Sequence, residues 1–135
     1  MYIWDKNKHS IGIDVIDDQH KYFFSLIDDI YNSAVINDEF SSKRLSMELL
    51  KHANLHFKTE IEYLLRSGVS NTDIIDHLKE HYFLNEKIHE IISKSFIDHK
   101  NIIIDLAFFI NEWISNHIIN YDLPFFNKMK ENNEI

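Results

Sequence analysis

Apolar side chains recur at steps of three and four residues in four separate runs of this chain, a period that confines most of it to amphipathic helices. The first run is Ile16, His20, Phe23, Ile27, Ile30 and Ala34; the second is Leu49, Ala53, His56, Glu60 and Tyr63 or Leu64. The third, Ile74, His77, His81, Leu84, Ile88, Ile91 and Ser95, is the most regular. The fourth is Ile103, Leu106, Ile110, Trp113 and His117, leading to Asp122 and Pro124. Polar breaks fall at Asn37-Asp38-Glu39, at Ser67-Gly68-Val69-Ser70-Asn71 and at Asp98-His99-Lys100-Asn101. Ser41 or Ser42 and Thr72 can cap helices, Gly68 suits a left-handed position after one, and Pro124 ends or kinks the fourth.

These runs predict one all-α domain over residues 1–135, an antiparallel up-down-up-down four-helix bundle, because short connections make consecutive helices neighbours of opposite direction. The expected elements are an ordered, non-helical N-terminal arm to about residue 16 and helices at about 17–36, 41–66, 72–97 and 101–120. A short C-terminal helix is expected at about 124–130, before a frayed tail from about Lys130.

With 135 residues, 44% of them hydrophobic, the chain can bury a core without disulfides. It has no cysteine, which removes thiolate ligands, iron–sulfur clusters and thiol nucleophiles together. A net charge of -8 argues against nucleic acid, whose phosphates need a basic face. The N-terminus lacks the basic-then-apolar layout of a signal peptide, and no apolar run reaches the roughly 18 residues of a membrane span. A soluble, cytoplasmic monomer with no membrane partner is the expectation.

Against that background the polar residues on the inward stripes stand out. His20, His56, Glu60, His77, His81, His117 and Asp122 all lie on or at the end of a stripe, where an unsatisfied polar group costs a few kcal/mol. His56 and Glu60, like His77 and His81, are four residues apart and project from one helix face about a turn apart. His117 and Asp122 are five apart, a step that over-rotates by about 140° on a straight α-helix, so local distortion is expected there. In an antiparallel bundle all seven fall at the same end: His20 is early in its helix, His56 and Glu60 late, His77 and His81 early, His117 and Asp122 late. Five imidazoles and two carboxylates are too many donors for one four-coordinate zinc and suit a pair of octahedral first-row ions, most naturally two irons.

Trp4, Ile16-Asp17-Asp18-Gln19-His20, His56-Phe57-Lys58-Thr59-Glu60, His77-Leu78-Lys79-Glu80-His81 and Trp113-Ile114-Ser115-Asn116-His117-Ile118-Ile119-Asn120-Tyr121-Asp122 together resemble the hemerythrin family, specifically its single-domain bacterial members. The resemblance covers almost the whole chain, and no ligand position of the family pattern is missing. It implies that His77, His81 and His117 hold one iron, that His20 and His56 hold the other, and that Glu60 and Asp122 bridge both alongside an oxo or hydroxo group. Two six-coordinate irons offer about twelve positions; the residues and bridges of that assignment fill all but one. The vacancy belongs to the iron with two histidines, and the resemblance implies that dioxygen binds there reversibly.

Reversibility needs a dry, narrow pocket. Phe23 and Phe24 near His20, Phe57 beside His56, Leu84 after His81, and Trp113, Ile114 and Ile118 around His117 are apolar enough to line one, and the same residues also read as ordinary core. Trp113 and Ile114 match family pocket positions by their offset from His117. The expected role is therefore oxygen carriage, storage or delivery without catalysis; the alternatives on the same scaffold are a di-iron peroxidase or oxidase, nitric oxide handling, or an oxygen or iron sensor. Of the other histidines, His9, His89 and His99 are expected at the surface, and His52 near the edge of the inward face, with a supporting or alternative-ligand role open to it. Glu86 and His89 imitate a motif of carboxylate-rich di-iron oxidases, but the inward-facing Ile88 turns them away.

Overall fold

The computed structural model describes residues 1–68, 70–95 and 98–134. Its elements are α1 (Lys6–His9), α2 (Asp14–Val35), α3 (Glu39–Arg66), α4 (Asn71–Lys94), α5 (His99–His117), a π-helix (Ile118–Asp122) and α6 (Leu123–Glu131). Each long helix packs on the next and α5 returns to α2, which closes a four-membered ring. Residues early in α2 and α4 meet residues late in α3 and α5 at one end. At the other end Ser33 bonds Ser42 across the α2–α3 turn at 2.9 Å, so the bundle is antiparallel.

Helix ends differ from the sequence expectation wherever a neighbouring side chain supplies a better partner. Asp38, not a serine, caps α3 by accepting from the Ser41 N–H at 3.1 Å, and Ser70, not Thr72, caps α4 by accepting from Asp73 at 3.3 Å. Asn37 takes the left-handed turn conformation at φ 60°, while Gly68 does not; its N–H instead donates to Glu134 at 2.6 Å. The arm is not wholly irregular, because Asp5 caps the single turn α1, too short a helix to show a period. α2 begins at Asp14, ahead of the expected start. Val69 of the predicted break, and Phe96 and Ile97 at the end of the predicted third helix, lie outside the described residues, as does Ile135.

The buried apolar residues form two clusters. The larger runs along the bundle and includes Phe23, Ile27, Ile30, Leu49, Ala53, Phe57, Leu84, Ile88, Leu106, Ile110, Ile114 and Ile118. The smaller closes the end of the bundle with Ile11 and Ile16 from the N-terminal side, Leu64 of α3, and Phe125, Phe126 and Met129 of α6. Each such side chain contributes about 1.5–3 kcal/mol on burial. The tail is tied down rather than frayed: the Lys130 ammonium donates to the Ile11 carbonyl. The stretch His99–Glu131 is, against expectation, long and apolar enough by composition to cross a membrane. Half of its most apolar window is buried, and its inward residues belong to these two clusters.

Candidate metal centre

Every long helix passes from one apolar cluster to the other through a polar residue. α2 does so at His20, between Ile16 and Phe23; α3 at His56 and Glu60, flanking Phe57 and leading to Leu64; the chain after α5 at Asp122, between Ile118 and Phe125. The result is a polar layer held between two dry ones. His20, His56, Glu60 and Asp122 are fully buried, and His77, His81 and His117 are at most 5% exposed.

The structure brings all seven together, with the five imidazoles turned Nε2 inward. Glu60 is the hub. Its Oε1 lies 2.5 Å from His56 and 3.6 Å from His20, while its Oε2 lies 2.9 Å from His77, 3.0 Å from His81 and 3.8 Å from His117. Asp122 divides in the same way: Oδ2 is 3.2 Å from His20, and Oδ1 is 3.0 Å from His77 and 3.2 Å from His117. Glu60 thus turns one oxygen to a pair of histidines and the other to a trio, and Asp122 turns one oxygen to His20 and the other to two of that trio. Two ligand groups follow, Glu60 with His77, His81 and His117, and Glu60 and Asp122 with His20 and His56; within each, the donor atoms lie within 4.8 Å of one another.

Asp122 reaches the layer because the helix changes type after His117. An i→i+5 turn stacks residues five apart, which an α-helix separates by about 140°. The π-helix Ile118–Asp122 therefore supplies the distortion that the His117–Asp122 spacing requires. Pro124 follows in the first turn of α6, where its missing N–H costs nothing.

The donor set fits a metal pair better than it fits its own hydrogen bonds. Glu60 Oε1, Asp122 Oδ2 and His117 Nε2 are buried and make no well-formed hydrogen bond, and His20 and His56 aim Nε2 at each other across 3.1 Å. Unpaired buried acceptors of this kind cost about 1–3 kcal/mol each, more when charged, unless a cation satisfies them. Electrostatics agree. Burial raises and the surrounding imidazoles lower the pKa of both carboxyl groups, and the imidazoles win, leaving both well below the usual range. Burial pulls His20, His77 and His117 down, but Asp122 and Glu60 outweigh it and hold them up at about 8, 9 and 10. His56, where burial dominates, is pushed down to about 4, and burial also lowers His81.

Around the layer, aromatic rings cover the imidazoles. Phe57 stacks on His81 at 3.9 Å and Phe23 meets His56 edge-on at 5.3 Å. Trp113 is half-buried and stacks on His117; Leu84, Ile114 and Ile118 are fully buried in the larger cluster. Phe24 is buried too, but its ring partner is His9 at 5.0 Å.

Two histidines expected at the surface are inside. His9 is 1% exposed; its Nδ1 accepts from the Asp5 N–H, so its Nε2 carries the proton and donates to Ser115 at 3.0 Å, pinning α1 to α5. His99 is 8% exposed at the start of α5, with neither ring nitrogen bonded. His89 is exposed, and His52 lies outside the ligand groups, donating to the Gln19 carbonyl at 2.8 Å. Sequence reasoning passed over Gln19 itself. Its side-chain oxygen accepts from His56 Nδ1 at 2.7 Å and its amide donates to Thr59 at 3.1 Å, which fixes the His56 ring with Nε2 inward. The signal available was its place beside His20, one helix over from His56.

No protein-family model matches the chain. It is 27% identical over 129 residues to a bacteriohemerythrin of Clostridium acetobutylicum, covering 90% of this chain and 96% of that one. A bacteriohemerythrin of Methylococcus capsulatus is 23% identical over 119 residues, covering 88% and 89%. The chain is similar in sequence to these two bacteriohemerythrins. In fold, the bundle superposes on a crystal structure of a leucine-to-phenylalanine mutant with a TM-score of 0.81 at 22% identity, covering 94% and 95%. In this chain, the clustered histidines and carboxylates form a candidate metal-binding site.

Proposed function

We propose that this chain binds dioxygen reversibly at a non-haem pair of iron ions joined by an oxo or hydroxo bridge, for carriage, storage or delivery. The observation that carries the reading is the divided coordination of Glu60 and Asp122, each with one oxygen toward His20 or His56 and the other toward the trio of His77, His81 and His117. Such a carboxylate spans two ions; it does not chelate one. A ferrous pair supplies two electrons and, on the side with only two histidines, a free coordination position for dioxygen.

The chain's own residues do the rest. Gln19 holds the His56 ring in place, and the apolar clusters above and below keep bulk water from the layer. Phe23 and Phe57, whose rings lie 5.3 and 5.9 Å from His56, offer no proton donor on the two-histidine side, which favours release of dioxygen unchanged over its reduction. The histidine-rich donor set also works against strong oxidation, because high-valent iron is better stabilised by more carboxylates.

The test is spectroscopic. Protein loaded with two irons per chain is reduced without air, then exposed to it; a visible band that appears, lasts many minutes and disappears on removing oxygen is the expected result. Rapid irreversible oxidation with turnover of an added substrate would make the protein an enzyme instead. One zinc per chain and no iron would refute both.

A further inference from the structure

A surface pocket of about 260 Å³ reaches the metal layer between the start of α4 and the π-helix. Asp73, Asp76, His77, Asn120, Tyr121 and Lys128 are on its wall. Asp73, Asp76 and His77 are spaced to share one face of α4, and both aspartates are exposed. His77 is 3% exposed, and it sits at the boundary between pocket and layer. Its Nε2 meets Glu60 and Asp122 at 2.9 and 3.0 Å. Its Nδ1 makes none of the described hydrogen bonds and, unlike Nδ1 of His20, His81 and His117, is not sealed from solvent. One imidazole therefore has a nitrogen toward each compartment.

We propose that this pocket is the port through which ferrous ions reach the centre, with Asp73 and Asp76 capturing the ion and His77 handing it inward. The inference rests on the di-iron reading above. Carboxylate oxygens and the Asn120 side-chain carbonyl are the donors that a hydrated hard cation accepts most readily, and an imidazole nitrogen is a suitable next partner. Two carboxylates against the single Lys128 ammonium leave the mouth negative, which concentrates cations there and raises their arrival rate. Lys128 also keeps capture weak, as passage requires: a site that bound iron tightly at the mouth would retain it. The cavities near the arm and at the far end of the bundle are lined by none of the seven ligands.

The test mixes metal-free protein with ferrous ion in the absence of air. Quenching of Trp113, whose ring stacks on His117 at 4.5 Å, follows arrival at the layer, and iron analysis gives the endpoint. Asp73→Asn with Asp76→Asn should fill about tenfold more slowly yet reach the wild-type endpoint, and Lys128→Gln should fill several-fold faster. Both differences should shrink at high salt, which screens an exposed mouth. Asp28→Asn with Asp29→Asn, an exposed pair on α2 with the same change in net charge, should match the wild type. Equal rates in all variants, or equal slowing by the α2 pair, would overturn the port. Lys128→Gln, on an exposed side chain of α6, keeps the comparison readable should the first turn of α4 be disturbed. An endpoint other than two irons in every protein would refute the di-iron reading, while the order of rates still decides the port.

Discussion

The Trp113 indole lies flat on the His117 imidazole, with centroids 4.5 Å apart and planes 10° from parallel. Tyr121 stacks on the same imidazole at 5.4 Å and 16°. One helical face thus carries a candidate iron ligand whose ring cannot tilt without moving two aromatic neighbours, and Phe57 meets Trp113 edge-on at 6.2 Å from α3.

Replacing Trp113 with alanine should therefore loosen His117 and admit water. Loss of a fully buried aromatic costs about 3–5 kcal/mol; for this half-buried one about 2 kcal/mol is expected. In air, iron-loaded Trp113→Ala should oxidise several-fold faster than the wild type, with Trp113→Phe between them. Urea unfolding and the decay of the oxygen-dependent band check the two effects; an unchanged decay would show that Trp113 only packs.

Glu60 lies within 3.8 Å of all five inward histidines, more than any other donor, so its loss should remove both ions. Glu60→Ala should fall from two irons per chain to near zero, whereas His89→Ala, at an exposed position, should keep two. Iron analysis after gel filtration decides it, and equal loss from both variants would refute the ligand assignment.

Without metal, stability should peak near neutral pH. His20, His77 and His117, held up at about 8, 9 and 10, keep protons that the unfolded chain has lost above about 6.5, so stability falls as pH rises from about 6.5 to 10. His56, pushed down to about 4, and the depressed Glu60 and Asp122 act oppositely, so stability also falls as pH drops from about 6.5 toward 4 and below. Each group alters stability by at most about 1.4 kcal/mol per pH unit within its window. With iron bound the ligands are already deprotonated and the alkaline loss should vanish. Urea midpoints against pH, with and without iron, measure this; a metal-free midpoint that holds level to pH 10 would contradict it.

The bundle was legible because its core obeys one period: Ile27, Ile30, Leu84, Ile88, Leu106 and Ile110 sit where stripes of three and four place them. The convergence of the site residues followed from the same period plus chain direction. What escaped depends on contacts between segments remote in sequence. His9 is buried because Ser115, on a distant helix, accepts a hydrogen bond from its Nε2–H, and α1 exists because Asp5 caps a single turn. Gln19 looks like any surface amide until α3 places His56 beside it. The five-residue step from His117 to Asp122 announced a distortion, but only the backbone shows that it is a π-turn.

That π-turn makes the protein sensitive to an added residue between His117 and Asp122. Ile119 is exposed, whereas Asn120 lines the pocket beside His77 and Tyr121 stacks on His117. Inserting one more residue among them would exceed the five-residue step that the π-turn absorbs and rotate all that follows by about 100°. Asp122 would swing out of reach of His20 and His77, and Phe125, Phe126 and Met129 would turn away from the cluster that seals the bundle end. A single added codon there would open the centre and unmake it together.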